Sequence, residues 1–134
     1  MDVLIIEDES KARNLIRNIL VKNCSFVANI YEAKNLLDGV DMIREQAPHL
    51  VFLDIEMPNY AGYEIGSFFK EIDFEIIFVT AYDSYAIKAF ELSAVDYLLK
   101  PVDIKRLTAA VERFGERKEA KDRALNYKVL LESL

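Results

Sequence analysis

The sequence predicts an α/β fold built on a parallel β-sheet, with the element order βαβαβαβαβα. Five short apolar runs alternate with longer segments in which apolar residues recur every three or four positions. Four of the runs are almost wholly Val, Ile, Leu, Phe and Tyr, which is typical of strands covered by helices on both faces. Such an alternation implies parallel strands joined by right-handed crossovers.

The predicted strands are short, and each is followed by a predicted helix. The strands are Val3–Ile6, Phe26–Tyr31, Leu50–Leu53, Ile76–Val79 and Val95–Leu99. The helices are Ser10–Leu20, Ala33–Gln46, Gly62–Ile72, Ser84–Leu92 and Ile104–Phe114. Each helical segment carries one apolar stripe, which marks a face directed toward the sheet.

Polar and proline residues mark several helix ends. Asp103 is expected to cap the last helix and Asp83-Ser84 the fourth, while Pro48 closes the second. Within the fourth helix, the spacing of Ile87 and Phe90 predicts that both belong to the core.

Composition excludes several classes of protein. The 134 residues suit one domain, and 52% hydrophobic content supports a folded core. A net charge of −6 argues against a nucleic-acid-binding surface, which is usually basic. Cys24 stands alone, so no internal disulfide forms, and no basic leader or long apolar run is present. We therefore expect a cytoplasmic protein.

Chemically active side chains follow four of the five predicted strands. The first strand is followed by Glu7-Asp8, the third by Asp54, and the fifth by Lys100, while Thr80 follows the fourth. The carboxyl ends of parallel strands lie at one edge of a sheet, where ligands bind. One such residue at a strand end is commonplace, whereas a matched set predicts a common site.

Three carboxylates in one crevice need a compensating cation. Two like charges about 4 Å apart repel by about 4 kcal/mol at an effective dielectric constant of 20. Oxygen ligands of this kind suit Mg²⁺. Together with Lys100, the metal would neutralise the three acids, and a phosphoryl group on one acid would meet the same two cations.

Four motifs now identify a family. Residues 2–114 resemble the receiver domain of bacterial two-component response regulators. The matching segments are Leu4–Glu9, Val51–Pro58, Ile77–Ala81 and Asp96–Pro101. The resemblance implies a flavodoxin-like, doubly wound (βα)5 sheet with strand order 2-1-3-4-5.

The resemblance also implies roles for individual residues. Asp54 would be the phosphoacceptor, and Mg²⁺ or Mn²⁺ would bind Asp8, Asp54, the backbone carbonyl of Glu56 and, through water, Glu7. Many receivers have aspartate where this chain has Glu7, so the reach of that side chain differs. Lys100 would pair with the phosphoryl group.

A switch is implied as well. The Lys100–Pro101 bond would be cis, and Thr80 and Tyr97 would move on phosphorylation by a sensor histidine kinase. The surface of the fourth helix, fifth strand and fifth helix would then change, and it would either form a homodimer or release an output domain. Aromatic and apolar residues are dense near that face: Tyr82, Tyr85, Ile87, Phe90 and Tyr97.

One subgroup of receivers is especially similar. Residues 80–91 and 94–101 resemble receivers that precede a LytTR-type DNA-binding domain controlling transcription. We expect residues 1–116 to form the receiver and residues 117–134 a helical extension or linker toward an output domain that this chain lacks. A stand-alone receiver is the alternative.

Three other functions are weighed against the receiver. A phosphohydrolase working through an aspartyl phosphate needs a second acid two residues after the nucleophile, and Glu56 stands there. A flavin carrier needs a phosphate loop after the first strand, where Glu7-Asp8-Glu9 would repel phosphate. A receiver that only binds partners would not need the complete set of phosphorylation residues. We therefore expect a signalling domain that is not an enzyme.

Overall fold

A computed structural model describes all 134 residues and contains one five-stranded parallel sheet. The strands are β1 (Asp2–Ile6), β2 (Asn29–Ala33), β3 (Leu50–Leu53), β4 (Glu75–Thr80) and β5 (Asp96–Leu99). The helices are α1 (Ser10–Asn23), α2 (Leu36–Gln46), a 3₁₀ helix (Gly62–Phe68), α3 (Ala86–Glu91) and α4 (Ile104–Glu132). The strand order is β2-β1-β3-β4-β5, which confirms the predicted fold.

Alternate residues of each central strand enter two separate cores. In β1, Val3 and Ile5 pack on the side of α1 and α4, whereas Leu4 and Ile6 pack on the side of α2. Both sides are therefore apolar, which explains why these strands read as continuous apolar runs. None of the helices combines the length and the apolar character that a membrane span requires.

Register aligns the strand ends at which the polar residues stand. Ile6 pairs with Leu53, and Leu53 pairs with Phe78. Between β4 and the edge strand β5, Thr80 pairs with Leu99. The residues after these strands therefore start from neighbouring positions at one edge.

The predicted second strand, Phe26–Tyr31, is displaced by the structure to Asn29–Ala33. Phe26 is 54% exposed and precedes the strand. This strand lies at the sheet edge and is mostly half-buried, so it needs no continuous apolar run. Pairing of Asp2 with Asn29 fixes its start instead.

The third and fourth helices also differ from prediction. The third is a 3₁₀ helix that ends at Phe68 rather than at Ile72. The fourth predicted helix corresponds to α3, which begins at Ala86. No side chain caps α3, so the expected cap at Asp83-Ser84 is wrong.

Ile87 and Phe90 were predicted to be core residues, and this is wrong because they are 73% and 85% exposed. The helix that carries them, α3, is only six residues long and buries one small residue, Ala89. Residues 87 and 90 point away from that side of the helix. The apolar pattern is therefore a surface feature.

The last helix extends well beyond the domain core. Asp103 caps it as predicted, accepting a hydrogen bond from the Arg106 N–H at 2.7 Å. Its last buried residue is Phe114, and every residue from Lys118 onward is exposed. The proposed boundary between residues 116 and 117 lies inside this continuous helix and stays a prediction.

Candidate functional site

Three acidic side chains meet at the carboxyl ends of β1 and β3. The N–H of Asp54 donates to the carbonyl of Ile6 at 3.0 Å, which places the residues after the two strands side by side. One carboxylate oxygen each from Glu7, Asp8 and Asp54 lies within 4.8 Å of the others. The structure thus brings together three acids, one of which is more than forty residues along the chain from the other two.

Burial distinguishes the three acids. Glu7 and Asp54 are 1% and 3% exposed, whereas Asp8 is exposed. The Lys100 ammonium Nζ lies 3.0 Å from Glu7 Oε1 and 3.1 Å from Asp54 Oδ2. Its backbone N–H donates to the Thr80 carbonyl at 2.8 Å, and the Lys100–Pro101 peptide bond is cis. One cation therefore serves two buried carboxylates.

The charge balance shifts the protonation of Glu7. Burial raises the pKa of Glu7 from its ordinary value of 4.5 to about 7, and its hydrogen bond with Asp54 acts in the same direction. Lys100 opposes this shift only in part. Burial alone would lower the pKa of Lys100, but its contacts with Glu7 and Asp54 outweigh burial and raise it.

Glu7→Gln is expected to stabilise the metal-free protein more at pH 8 than at pH 5. Since the pKa of Glu7 rises from 4.5 to about 7 on folding, the folded state is favoured below pH 4.5 and loses that advantage as pH rises through 7. This loss of folding free energy in the wild-type protein amounts to at most about 3 kcal/mol. Urea unfolding of the wild type and of Glu7→Gln in EDTA, at pH 5 and at pH 8, measures the difference. Equal stabilisation at the two values would refute the assignment.

The donor set fits a small divalent cation. All three acids offer hard oxygen ligands, and together with Lys100 they leave two uncompensated negative charges when ionised. Glu7 Oε2 is buried without an aligned hydrogen-bond donor, although Nζ of Lys100 lies 2.9 Å away. A cation would supply the missing compensation.

The loop after β3 is held close to Asp54. The N–H of Glu56 donates to Asp54 Oδ1 at 3.3 Å, and that of Gly62 donates to the Ile55 carbonyl at 2.9 Å. A Cβ atom at Gly62 would lie 2.1 Å from the Asp54 carbonyl oxygen. The loop can pass this close only because residue 62 has no side chain. Sequence reasoning missed this role of glycine, since its only signal was one Gly eight residues after Asp54.

Thr80 and Tyr97 form no hydrogen bond with the three acids. Thr80 is fully buried, and its hydroxyl accepts a hydrogen bond from the Tyr82 N–H at 3.4 Å. The Tyr97 hydroxyl donates to the carbonyl of Tyr82, and its ring centroid is 6.5 Å from that of Phe78. Both predicted switch residues therefore meet at Tyr82.

Two further contacts were not predicted. Arg13 of α1 donates from Nη1 to the Glu7 carbonyl at 2.8 Å, which fixes the end of β1. The Tyr85 hydroxyl donates to the side chain of Glu56, and this contact raises the pKa of Tyr85 to about 12. The aromatic density around residue 85 was visible in the sequence, but the hydrogen bond of Tyr85 to Glu56 was not.

Known proteins resemble this chain along most of its length. The family model described as response regulator receiver domain matches residues 3–112. Transcriptional regulatory protein BtsR of Escherichia coli K12 is 39% identical over 124 residues, which are 92% of this chain and 52% of that protein. An uncharacterized response regulatory protein of Vibrio cholerae is 41% identical over 123 residues, 91% of this chain and 52% of that one.

Solved structures agree with the sequence relatives. The REC domain of AraT, a response regulator from Geobacillus stearothermophilus, superposes with a TM-score of 0.81 at 30% identity. That match covers 90% of this chain and 97% of the other. The present chain spans about half the length of the curated relatives it matches.

Proposed function

The chain belongs to the response regulator receiver family, and from that membership we propose that it accepts a phosphoryl group on Asp54 and changes conformation in response. The main support for the proposal is the local environment of Asp54. Its carboxylate is 3% exposed, contacts the Lys100 ammonium at 3.1 Å and lies beside two further acids. A carboxylate in such a setting can act as a nucleophile toward phosphorus.

The acidic cluster is proposed to bind Mg²⁺ or Mn²⁺. Asp8, Asp54 and the backbone carbonyl of Glu56 would be direct ligands, and Glu7 would act through water. The bound metal would neutralise charge that develops on the phosphoryl oxygens. Lys100 would hold the phosphoryl group from the other side, since Nζ already contacts an Asp54 oxygen at 3.1 Å.

Phosphorylation would act on the two loops beside the site. A phosphoryl group adds about −1.5 to −2 charges and strong hydrogen-bond acceptors. The Thr80 hydroxyl holds only a long contact of 3.4 Å to the Tyr82 N–H, so it is available to turn toward the phosphoryl group. Tyr82 also accepts from the Tyr97 hydroxyl. Movement of Thr80 would therefore reach Tyr97 and bias α3, β5 and α4 toward a second packing.

Intact-mass measurement after incubation with acetyl phosphate and Mg²⁺ tests the proposal. We expect a gain of one phosphoryl group, and none in Asp54→Asn or in EDTA. Asp8→Asn is the matched acid-to-amide control, and it should reduce the rate of incorporation through weaker metal binding while leaving the acceptor in place. Unchanged incorporation in Asp54→Asn would refute the assignment.

The partners are proposed from the family and the relatives. We propose that a sensor histidine kinase in the bacterial cytoplasm donates the phosphoryl group. The domain would be a signalling element whose phosphate chemistry is confined to itself, without turnover of an external substrate. A transcriptional output through a LytTR-type domain is proposed in view of the regulator BtsR, of which the match covers 52%. Residues 1–116 would then form the receiver and residues 117–134 the connection.

Phosphorylation is proposed to create a homodimer through the α3–β5–α4 face. Four large apolar side chains on this face are 49–85% exposed. They are Ile87, Phe90, Leu99 and Ile104. Burial of an anchor residue of this kind contributes about 2 kcal/mol or more to a protein interface.

Phe90→Asp is therefore expected to weaken dimerisation about 30-fold or more, because about 2 kcal/mol of anchor burial would be lost. Beryllofluoride with Mg²⁺ would mimic the phosphoryl group, and sedimentation would report the oligomeric state. Phe26→Asp is the control, since Phe26 is 54% exposed outside this face. A dimer that survives in Phe90→Asp but not in Phe26→Asp would contradict the assigned face.

A further inference from the structure

A hydrogen bond joins two loops that follow strands of the site. The hydroxyl of Tyr85, at the start of α3, donates to the carboxylate of Glu56 on the loop after β3. These residues are 29 positions apart in the chain. The bond joins the loop that follows Asp54 to the loop that follows Thr80, and it is the only side-chain hydrogen bond of Glu56.

Packing holds the Tyr85 hydroxyl in this position. The Tyr85 ring centroid lies 5.8 Å from that of Tyr63 and 6.4 Å from that of Tyr82. Its backbone carbonyl accepts from the Ala89 N–H at 3.1 Å, at the first turn of α3. The phenol is therefore a fixed donor, whereas the Glu56 side chain is exposed and can rotate once released.

Glu56 has the chemistry and the location of a general base. Its backbone N–H is 3.3 Å from Asp54 Oδ1, so its side chain starts next to the proposed acceptor. A free carboxylate in this place can take a proton from water. The water oxygen would bond to phosphorus as the bond from phosphorus to Asp54 breaks. One water proton would pass to Glu56, inorganic phosphate would leave, and the Asp54 carboxylate would be restored.

We propose that Tyr85 is a positioning residue that prolongs the life of the phosphoryl group by holding the Glu56 carboxylate away from the attacking water. The inference rests on the proposed acceptor role of Asp54. It concerns the rate of phosphoryl loss, whereas the acceptor role concerns phosphoryl gain, so the two can fail separately.

The decay of the phosphorylated protein tests the inference. The protein is loaded with acetyl phosphate and Mg²⁺, the donor is removed by desalting, and intact mass is followed over time. Tyr85→Phe removes the hydroxyl and keeps the ring, and we expect decay about 5–10-fold faster, below the 10²-fold or more that a fully placed base contributes. Tyr63→Phe is the matched control, because Tyr63 contacts the Tyr85 ring without bonding to Glu56.

A double variant separates positioning from general loosening of the fold. In Tyr85→Phe/Glu56→Gln the acceleration should disappear, since the released side chain can no longer take a proton. Glu56→Asp shortens the side chain, so it breaks the hydrogen bond with Tyr85 but keeps a carboxylate. This variant should therefore also speed decay. It replaces Tyr85→Phe if Tyr85→Phe does not fold. A wild-type decay rate in Tyr85→Phe and Glu56→Asp, or an acceleration that persists in the double variant, overturns the inference.

A wild-type protein that never gains a phosphoryl group would instead refute the acceptor role of Asp54. In that case the decay experiment has no starting material, and the inference falls with the function on which it rests. Normal loading with unchanged decay leaves the acceptor role standing and removes the role of Tyr85.

Discussion

Lys100→Met is expected to lower the free energy of unfolding by about 3–5 kcal/mol at pH 8 without divalent cations, which is the usual cost of removing one partner from a buried ion pair. Lys100 is the only cation within salt-bridge distance of Glu7 and Asp54, which are 1% and 3% exposed. Methionine has similar length but no charge, so two buried carboxylates would be left without compensation.

The loss should depend on pH and on metal. At pH 5 it should be smaller, because the pKa of Glu7 is already about 7 in the intact site and a protonated Glu7 needs no counter-charge. Added Mg²⁺ should restore part of the stability, since a ligand that binds only the folded state stabilises it.

Urea unfolding with EDTA and with Mg²⁺ measures both effects. Lys118→Met is the matched control, because Lys118 forms an exposed ion pair with Asp122 at 3.0 Å, which is worth less than about 1 kcal/mol. Equal losses in the two variants would show that Lys100 does not compensate buried charge.

Gly62→Ala is expected to destabilise the protein by about 1–3 kcal/mol, the usual cost of overpacking, and to weaken Mg²⁺ binding at least about tenfold. The added Cβ would lie 2.1 Å from the carbonyl oxygen and 2.9 Å from the carbonyl carbon of Asp54. Both are backbone atoms, so relief requires movement of the loop that positions Asp54 and Glu56. A displacement of about 1 Å at such a site can cost about 10²-fold in function.

Gly115→Ala is the control for Gly62→Ala. No atom lies within 4 Å of a Cβ built at residue 115, which is inside α4. There alanine should stabilise the helix by about 1 kcal/mol. Thermal unfolding and Mg²⁺ titration compare the two variants. Wild-type Mg²⁺ affinity in Gly62→Ala would contradict the role given to this close approach.

The sequence predicted the parts of the fold that depend on burial of whole strands. β1, β3 and β4 lie inside the sheet, so almost every residue must be apolar and the runs are easily seen. The edge strand β2 is mostly half-buried, and its register comes from pairing with β1 rather than from its own pattern. Its start was therefore misplaced, at Phe26 instead of Asn29.

The site also has features that the sequence predicts and features that it does not. Convergence of Glu7, Asp8, Asp54 and Lys100 follows from topology, because all four stand just beyond parallel strands. The Tyr85–Glu56 hydrogen bond depends on loop conformation, which no periodicity encodes. The exposure of Ile87 and Phe90 was not predicted because their spacing fits a buried helix face. The helix has only six residues, however, and buries only Ala89.

Mapping the phosphorylated residue is the most direct test of the central claim that Asp54 accepts the phosphoryl group in this acidic site. Borohydride reduction converts an aspartyl phosphate to homoserine, which peptide mass spectrometry can locate. After acetyl phosphate and Mg²⁺, we expect homoserine at position 54 alone, and none in EDTA. Modification at Asp8 or elsewhere, or at position 54 without any divalent cation, would contradict the account.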